Sequence, residues 1–102
     1  MPFFAVIGFD HPPHSMALRD QFRPQHRAYV KGNDQQLRFA AAMLDGKGNQ
    51  CGTVLFFEAD SAQQVRQWTS EEPFCNSGVY KDLHIVQIHP GFNKIPTIDW
   101  PG

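Results

Sequence analysis

The sequence predicts an α+β domain in which two helices cover one face of a four-stranded antiparallel sheet. Three observations lead to this prediction. Apolar runs of β type and amphipathic helical segments follow one another in the order β-α-β-β-α-β. A turn rich in Gly and Asn joins the two middle strands as a hairpin. The chain has 102 residues, which is enough for one domain with one modest core.

The first strand is predicted over residues 3–9, where Phe, Val and Ile dominate. A loop follows, because the consecutive residues Pro12 and Pro13 cannot both continue a strand ladder or begin a helix smoothly. Ser15 is a suitable N-cap for the next element, and we therefore predict the first helix over residues 15–30.

The first helix carries an apolar face and, beside it, a stripe of arginines. The apolar face holds Leu18, Phe22, His26 and Tyr29, at positions i, i+4, i+8 and i+11. The stripe holds Arg19, Arg23 and Arg27. Pro24 removes one backbone donor from this helix, so we expect a kink or a break near Arg23.

The middle of the chain predicts a hairpin followed by a second helix. Strand two covers Leu37–Leu44 and strand three covers residues 51–58, with a Gly-Lys-Gly-Asn turn between them. Asp60 is expected to cap the second helix, and Gln63, three residues later, to complete a capping box. Pro73 is expected to end this helix.

The end of the chain predicts a last strand and a tail. Strand four covers residues 79–89 and completes a folded domain over residues 1–90. Residues 91–102 form an extended, proline-containing tail. Four apolar side chains in this tail are expected to dock onto protein: Phe92, Ile95, Ile98 and Trp100.

The predicted strands are apolar on both faces, which bears on quaternary structure. Strand two is expected to place Leu37, Phe39 and Met43 on one side and Ala40, Ala42 and Leu44 on the other. The element order is that of the ferredoxin-like arrangement, whose two helices cover one face of the sheet. We expect a second copy of the sheet to cover the other face in a two-fold dimer; the alternative is a monomer whose tail folds over it.

The composition argues against several classes of partner and site. The formal net charge is −1, which gives no basis for binding nucleic acid or an anionic membrane surface. No apolar run reaches about 18 residues, and the first residues lack signal-peptide features, so we expect a cytoplasmic protein without a membrane segment. Cys51 and Cys75 are expected to be free thiols. His11 and His14 have no evident third ligand, so no metal site is predicted.

Two residues are candidates for catalysis. His26 lies on the apolar stripe of the first helix, and an imidazole that lines a pocket transfers protons near neutral pH. The alternative is a core histidine with a structural role. Glu72 ends the second helix, where the macrodipole disfavours an acid, and a residue placed against local electrostatics indicates a function. The alternative for Glu72 is a solvated carboxylate.

Three segments of the chain resemble the YCII-related family. The pattern S-x-x-x-R-x-x-x-R-P-x-H of that family is matched by Ser15, Arg19, Arg23, Pro24 and His26. Residues 71–80, EEPFCNSGVY, resemble its D-P-Y/F-x-x-A-G-V-Y segment, and residues 51–68 resemble its G-S-T-V-I strand with the following helix. The resemblance covers residues 3–88 in order. The chain departs from the pattern at Glu72, where the family usually has Asp, and also at residues 41–43 and 87–88.

The resemblance implies a ferredoxin-like fold that dimerises through its sheets into an α+β barrel. It also implies a His–Asp pair in a pocket, carried here by His26 and Glu72. Arg19, Arg23 and Phe74 are then expected to bind the substrate, because an arginine steadies an oxyanion and an aromatic ring holds a flat compound.

The function implied is that of a cofactor-free lyase or isomerase acting on a small cyclic aromatic or quinone-like compound in aromatic degradation. The family includes a dehydrochlorinase that removes HCl from a chlorinated hydroxyhydroquinone, and the fold resembles that of muconolactone isomerase. Both reactions begin with proton abstraction and require no metal or redox cofactor. The alternatives are a binding module for small ligands, in which His26 is structural, and a haem-binding barrel.

Overall fold

The structure, a computed structural model, describes residues 1–96. Within them lie four strands and three helices: β1 (Phe3–Asp10), α1 (Met16–Gly32), β2 (Leu37–Leu44), β3 (Gln50–Glu58), α2 (Ala62–Glu71), α3 (Pro73–Asn76) and β4 (Tyr80–Ile88). The strands form one sheet in the order β2-β3-β1-β4, and every neighbouring pair is antiparallel. The predicted α+β, ferredoxin-like fold is therefore confirmed.

The hydrophobic core lies between the sheet and the helices. It is formed by Phe4, Val6, Leu55, Phe57, Ala59, Val65 and Trp68. Apart from Ala59, which directly follows β3, these residues come from alternate positions of the two central strands and from the inner face of α2, as the strand period of two and the helix period of 3.6 require. A central strand with neighbours on both sides has no exposed edge, and β1 is accordingly buried along most of its length.

Two hydrogen bonds join the C-terminal end of α1 to α2. The hydroxyl of Tyr29 donates to the carbonyl of Trp68 at 2.7 Å, and Nε1 of Trp68 donates to the carbonyl of Asn33 at 2.8 Å. Burial, with the nearby charges of Glu71 and Glu72, raises the pKa of Tyr29 to about 12, so its hydroxyl remains a donor. These bonds hold the two helices at a fixed separation over the sheet.

The first helix is continuous, and the expected break near Arg23 does not occur. Proline removes one backbone hydrogen bond, but the inner face of α1 is held on both sides of Pro24. Arg19 is buried before it, and Tyr29 and Val30 pack against the core after it. Tertiary contacts therefore keep the helix intact through the proline.

The caps of the helices differ from the predictions in two places. The N-cap of α2 is Ser61 rather than Asp60, because the Ser61 hydroxyl accepts a hydrogen bond from the backbone of Gln64. Ser15 occupies the N-cap position of α1, but its hydroxyl donates to the carbonyl of Val79 at 2.7 Å instead of capping the helix. Ser15 thus ties the start of α1 to the segment that precedes β4.

Strand two contains an irregularity that the alternating pattern did not predict. Its register against β3 shifts between Leu37 and Phe39, so that Leu37 pairs with Phe57 and Phe39 pairs with Phe56. Leu37 consequently packs against the core on the helix side. The prediction that Leu37 shares a face with Phe39 is wrong, because a bulge re-aims the side chains that follow it.

The second face of the sheet lies opposite the helices and is mostly apolar, with Glu58, Asp82 and His84 as polar members. The pairing registers place on it Phe3, Ala5, Ile7, Phe9, Phe39, Ala41, Met43, Val54, Phe56 and Val86. We call these residues the open face. Phe9 and Val86 are 46% and 49% exposed, and the rings of Phe39 and Phe56 stack with centroids 5.4 Å apart. Phe3 and Ala5, by contrast, are buried in the single chain, at 5% and 6% exposed.

The structure describes only the first part of the predicted tail, up to residue 96. Phe92 is 78% exposed, and Ile95 is partly buried. Ile98 and Trp100 lie outside the described residues. Among residues 1–96, no helix is both long enough and apolar enough to cross a membrane.

Candidate active site

Glu72 is positioned by the junction of two helices. It is both the C-cap of α2 and the N-cap of α3, and it is 2% exposed. One carboxylate oxygen accepts a hydrogen bond from the backbone N–H of Cys75 at 3.0 Å. The other contacts Nδ1 of His26. A carboxylate is disfavoured at the C-terminal end of α2, but it is favoured at the N-terminal end of α3. Glu72 occupies both positions, and its side chain caps the helix that Pro73 begins.

The imidazole of His26 is held by this carboxylate and by a stacked ring. Its plane lies 3° from that of Phe74, with centroids 3.8 Å apart. A carboxylate accepts hydrogen bonds and cannot donate them, so Nδ1 carries the proton that it shares with Glu72. Nε2 has no partner among residues 1–96 and is the nitrogen left to act on a ligand.

The thiol of Cys75 lies beside Glu72 and stays protonated. Burial, followed by the charge of Glu72 and a hydrogen bond to it, raises the pKa of Cys75 far above its usual value. The thiol therefore stays neutral and adds no second negative charge next to the carboxylate.

Arg19 is anchored by a buried ion pair. Its Nε and Nη2 donate to the two carboxylate oxygens of Asp10 at 2.7 and 2.8 Å, in the bidentate geometry typical of arginine. Burial opposes the positive charge, but the hydrogen bonds to Asp10 and the electrostatic effect of the surrounding acidic groups together outweigh it and raise the pKa of Arg19. The guanidinium also lies over the rings of Phe74 and Tyr80, 5.4 and 5.6 Å from their centroids. Arg19 is thus a fixed cation.

Thr53 and Tyr80 extend this arrangement to two further strands. Nη2 of Arg19 also donates to the hydroxyl of Thr53 at 3.1 Å, and the Thr53 and Tyr80 hydroxyls lie 2.7 Å apart. Burial raises the pKa of Tyr80 well above its ordinary value, so the phenol is neutral. The ring fits because residue 8 is glycine: a Cβ on Gly8 would lie 2.8 Å from Cδ1 of Tyr80.

Arg23 occupies the rim of the site. It donates to the side-chain oxygen of Gln50 at 3.2 Å and forms an ion pair with Asp20 at 3.0 Å. The side chain of Asp20 is 67% exposed, so this pair is solvated and easily rearranged.

These groups share one cavity of about 220 Å³ between α1, α3 and the sheet. It is lined by Arg19, Arg23, His26, Val30, Ala40, Ala41, Ala42, Gln50, Thr53, Leu55 and Phe74. Arg19, Arg23 and His26 follow one another along α1 on one side of the cavity. Three small alanine residues of β2 line another side. Within residues 1–96, no cluster of three or more His, Cys, Asp or Glu side chains could hold a metal ion.

The structure brings the residues selected from the sequence to this one site. His26 contacts Glu72 directly, and Arg19, Arg23 and Phe74 line the same cavity as His26. Sequence reasoning missed Asp10, Thr53 and Tyr80. One signal was available: Asp10 is an acid at the end of an apolar strand, nine residues before an arginine on a helix.

The fold and the site define a class: small α+β domains of ferredoxin-like type with a cavity between the helices and the sheet. Within that class the chain belongs to the YCII-related family, whose domain matches residues 3–89. A comparison with curated proteins finds no match.

Several solved structures share the fold. The 5-chloro-2-hydroxyhydroquinone dehydrochlorinase TftG from Burkholderia phenoliruptrix AC1100, in complex with 2,5-dihydroxybenzoquinone, is 20% identical, with a TM-score of 0.73 over 81% of this chain and 89% of that one. An antibiotic biosynthesis monooxygenase is 18% identical, with a TM-score of 0.54 over 86% and 96%. Rv0793 from Mycobacterium tuberculosis is 11% identical, with a TM-score of 0.52 over 92% and 99%. At these identities the similarity shows the fold.

The first prediction concerns the buried ion pair. Replacing Asp10 with Ala leaves the Arg19 cation buried without its partner and should lower the free energy of unfolding by about 3–5 kcal/mol. Denaturant unfolding followed by tryptophan fluorescence measures this. The matched control is Asp20→Ala, which removes the exposed partner of Arg23 and should cost less than about 1 kcal/mol. Equal losses in the two variants would contradict the anchoring role of Asp10.

Proposed function

We propose that this chain is a cofactor-free lyase or isomerase that acts on a small cyclic compound through proton transfer to His26. One observation carries the proposal: the buried carboxylate of Glu72 holds Nδ1 and leaves Nε2 free on the cavity wall. A neutral imidazole in this state accepts a proton at Nε2, and the carboxylate stabilises the imidazolium that forms.

The size of the cavity favours a substrate with one ring. A cavity of about 150 Å³ holds benzene, and the cavity here is about 220 Å³, which leaves room for a few ring substituents. A macrocycle such as haem is far larger than this space. The ligand of TftG, 2,5-dihydroxybenzoquinone, is a single ring of the favoured size and supports the same substrate class for this chain.

The remaining site residues have distinct proposed roles. Arg19 is a fixed cation that stabilises an oxyanion on the ring, because its geometry does not have to reorganise during the reaction. Arg23, on the rim, binds a substituent that faces solvent. Phe74 sets the plane of the imidazole and offers its edge to the substrate ring.

The most specific form of the proposal is dehydrochlorination of a chlorinated hydroxyhydroquinone. His26 takes the proton of one ring hydroxyl and returns it to the carbon that bears chlorine, which makes that carbon tetrahedral and the hydroxyl oxygen a carbonyl. Loss of a proton from a second hydroxyl then drives out chloride. The products are a hydroxybenzoquinone, one proton and one chloride ion, with no net oxidation. An isomerase would use the same base and return the proton to a different atom without a leaving group.

The catalytic prediction is tested with 5-chloro-2-hydroxyhydroquinone under anaerobic conditions, with released chloride as the readout. His26→Ala should lower turnover by about 10²–10⁴-fold, the usual contribution of a general base. Glu72→Gln should cause a smaller loss, because it keeps the shape of the side chain and removes its charge. Circular dichroism verifies that both variants fold.

His11→Ala is the matched control, because it removes an exposed imidazole outside the cavity and should leave turnover unchanged. Chloride release by His26→Ala at the wild-type rate would contradict the catalytic role. Tight binding of 2,5-dihydroxybenzoquinone without any turnover would instead favour the alternative, a binding module of the same fold.

We also propose that the open face is covered by the open face of a second copy. Most of the face is apolar, with Asp82 and His84 of β4 as polar members, and its Phe9 and Val86 are nearly half exposed in the isolated chain. Two identical sheets packed face to face bury both surfaces at once. In a two-fold dimer the same apolar patch of each subunit contacts its copy on the other subunit.

Light scattering should therefore give the mass of two 11.6 kDa chains at micromolar concentration. Val86→Lys places a charge in the buried interface and should yield the mass of one chain. The control is Gln67→Lys, the same new charge on the exposed surface of α2, which should remain dimeric. A wild-type mass of one chain would contradict the proposal.

A further inference from the structure

The hydroxyl of Thr53 lies where the ion-paired network meets the cavity. It accepts a hydrogen bond from Nη2 of Arg19 at 3.1 Å and lies 2.7 Å from the hydroxyl of Tyr80. Thr53 also lines the cavity wall beside Arg19 and across from His26 on α1. Its proton therefore has two possible destinations, the phenol or the cavity.

Counting protons and lone pairs decides between them. A threonine hydroxyl has one proton and two lone pairs, and an arginine nitrogen can only donate. Within residues 1–96 the Tyr80 hydroxyl has Thr53 as its partner, and the phenol is neutral because burial raises its pKa. If Thr53 donated to Tyr80, the phenolic proton would be left without an acceptor in a largely buried place, which is costly.

Tyr80 therefore donates to Thr53, and both lone pairs of the Thr53 oxygen are occupied. The proton of Thr53 is directed away from its two donors and toward the cavity. Nη1 of Arg19, which has no hydrogen-bond partner among residues 1–96, is a second donor on the same wall. Thr53 and Arg19 therefore offer donors to the cavity, whereas His26 offers an acceptor at Nε2.

We infer that Thr53 is a specificity-determining residue that donates a hydrogen bond to an acceptor oxygen of the substrate. The ligand class is a single ring with a hydroxyl that faces His26 and a second oxygen, a carbonyl or a phenolate, that faces Thr53 and Arg19. This inference rests on the proposed function and adds the second recognition point. A ring without that oxygen leaves two buried donors unpaired, which is the strongest form of rejection available to a small site.

The test uses 2,5-dihydroxybenzoquinone as the probe, with its Kd measured by calorimetry. Thr53→Val keeps the side-chain shape and should raise Kd about tenfold or more, since a lost hydrogen bond to a charged or polarised oxygen has this effect. Thr53→Ser keeps the donor and should stay within about threefold of wild type. Thr69→Val is the matched control: its hydroxyl donates to the carbonyl of Arg66, away from the cavity, and its loss should leave Kd unchanged.

An infrared difference spectrum separates a direct contact from an indirect one. The carbonyl band of the bound quinone should move to higher frequency in Thr53→Val, because the oxygen loses a donor. Tyr80→Phe covers the case in which Thr53→Val fails to fold. It leaves the Thr53 proton free to bind the ligand, and Kd should change by no more than about threefold.

The outcomes are distinguishable. Wild-type affinity and an unshifted carbonyl band in Thr53→Val overturn the inference, while chloride release that depends on His26 continues to support the proposed function. A tenfold loss in Tyr80→Phe also overturns it, since the phenol would then be the donor. A wild-type protein that neither binds the probe nor releases chloride overturns both.

Discussion

The buried ion pair between Asp10 and Arg19 is the constraint on which the site depends. It joins the end of β1 to the start of α1, and through Thr53 it reaches β3. Two charges with almost no solvent contact are stable only when their hydrogen-bonding groups are satisfied, and here the carboxylate also accepts from the backbone of Ser15 at 3.0 Å. The cation that faces the cavity is therefore rigid before any ligand arrives.

The second charged group of the site is held by different means. Glu72 lies between two helices. One of its carboxylate oxygens accepts a hydrogen bond from a backbone N–H of α3, and the other contacts the imidazole of His26. Phe74, two residues along the chain, stacks on that imidazole. A single short segment thus supplies the carboxylate that orients the imidazole of His26 and the ring that fixes its plane, so the imidazole and the Arg19 cation are both held in place before a ligand binds.

Much of this arrangement could be predicted from the sequence, and the failures have physical causes. The order of helices and strands along the chain follows from periodicity, and the pairing of His26 with Glu72 follows from the resemblance to the family. The role of Tyr80 could not be predicted, because it depends on a contact between strands distant in sequence, whereas the spacing of Asp10 and Arg19 was an available signal that was missed. The bulge that turns Leu37 to the core is equally invisible, since alternation along one strand does not report its register against the next.

The central claim is that Glu72 fixes the proton of His26 on Nδ1 and leaves Nε2 as the base. Imidazole ¹⁵N NMR of labelled protein, with the His26 signals assigned from His26→Gln and recorded at alkaline pH, tests this most directly. The account predicts a protonated, pyrrole-type Nδ1 and an unprotonated, pyridine-type Nε2, with a mixture of the two tautomers in Glu72→Gln. A neutral ring protonated at Nε2 in the wild-type protein would contradict the account.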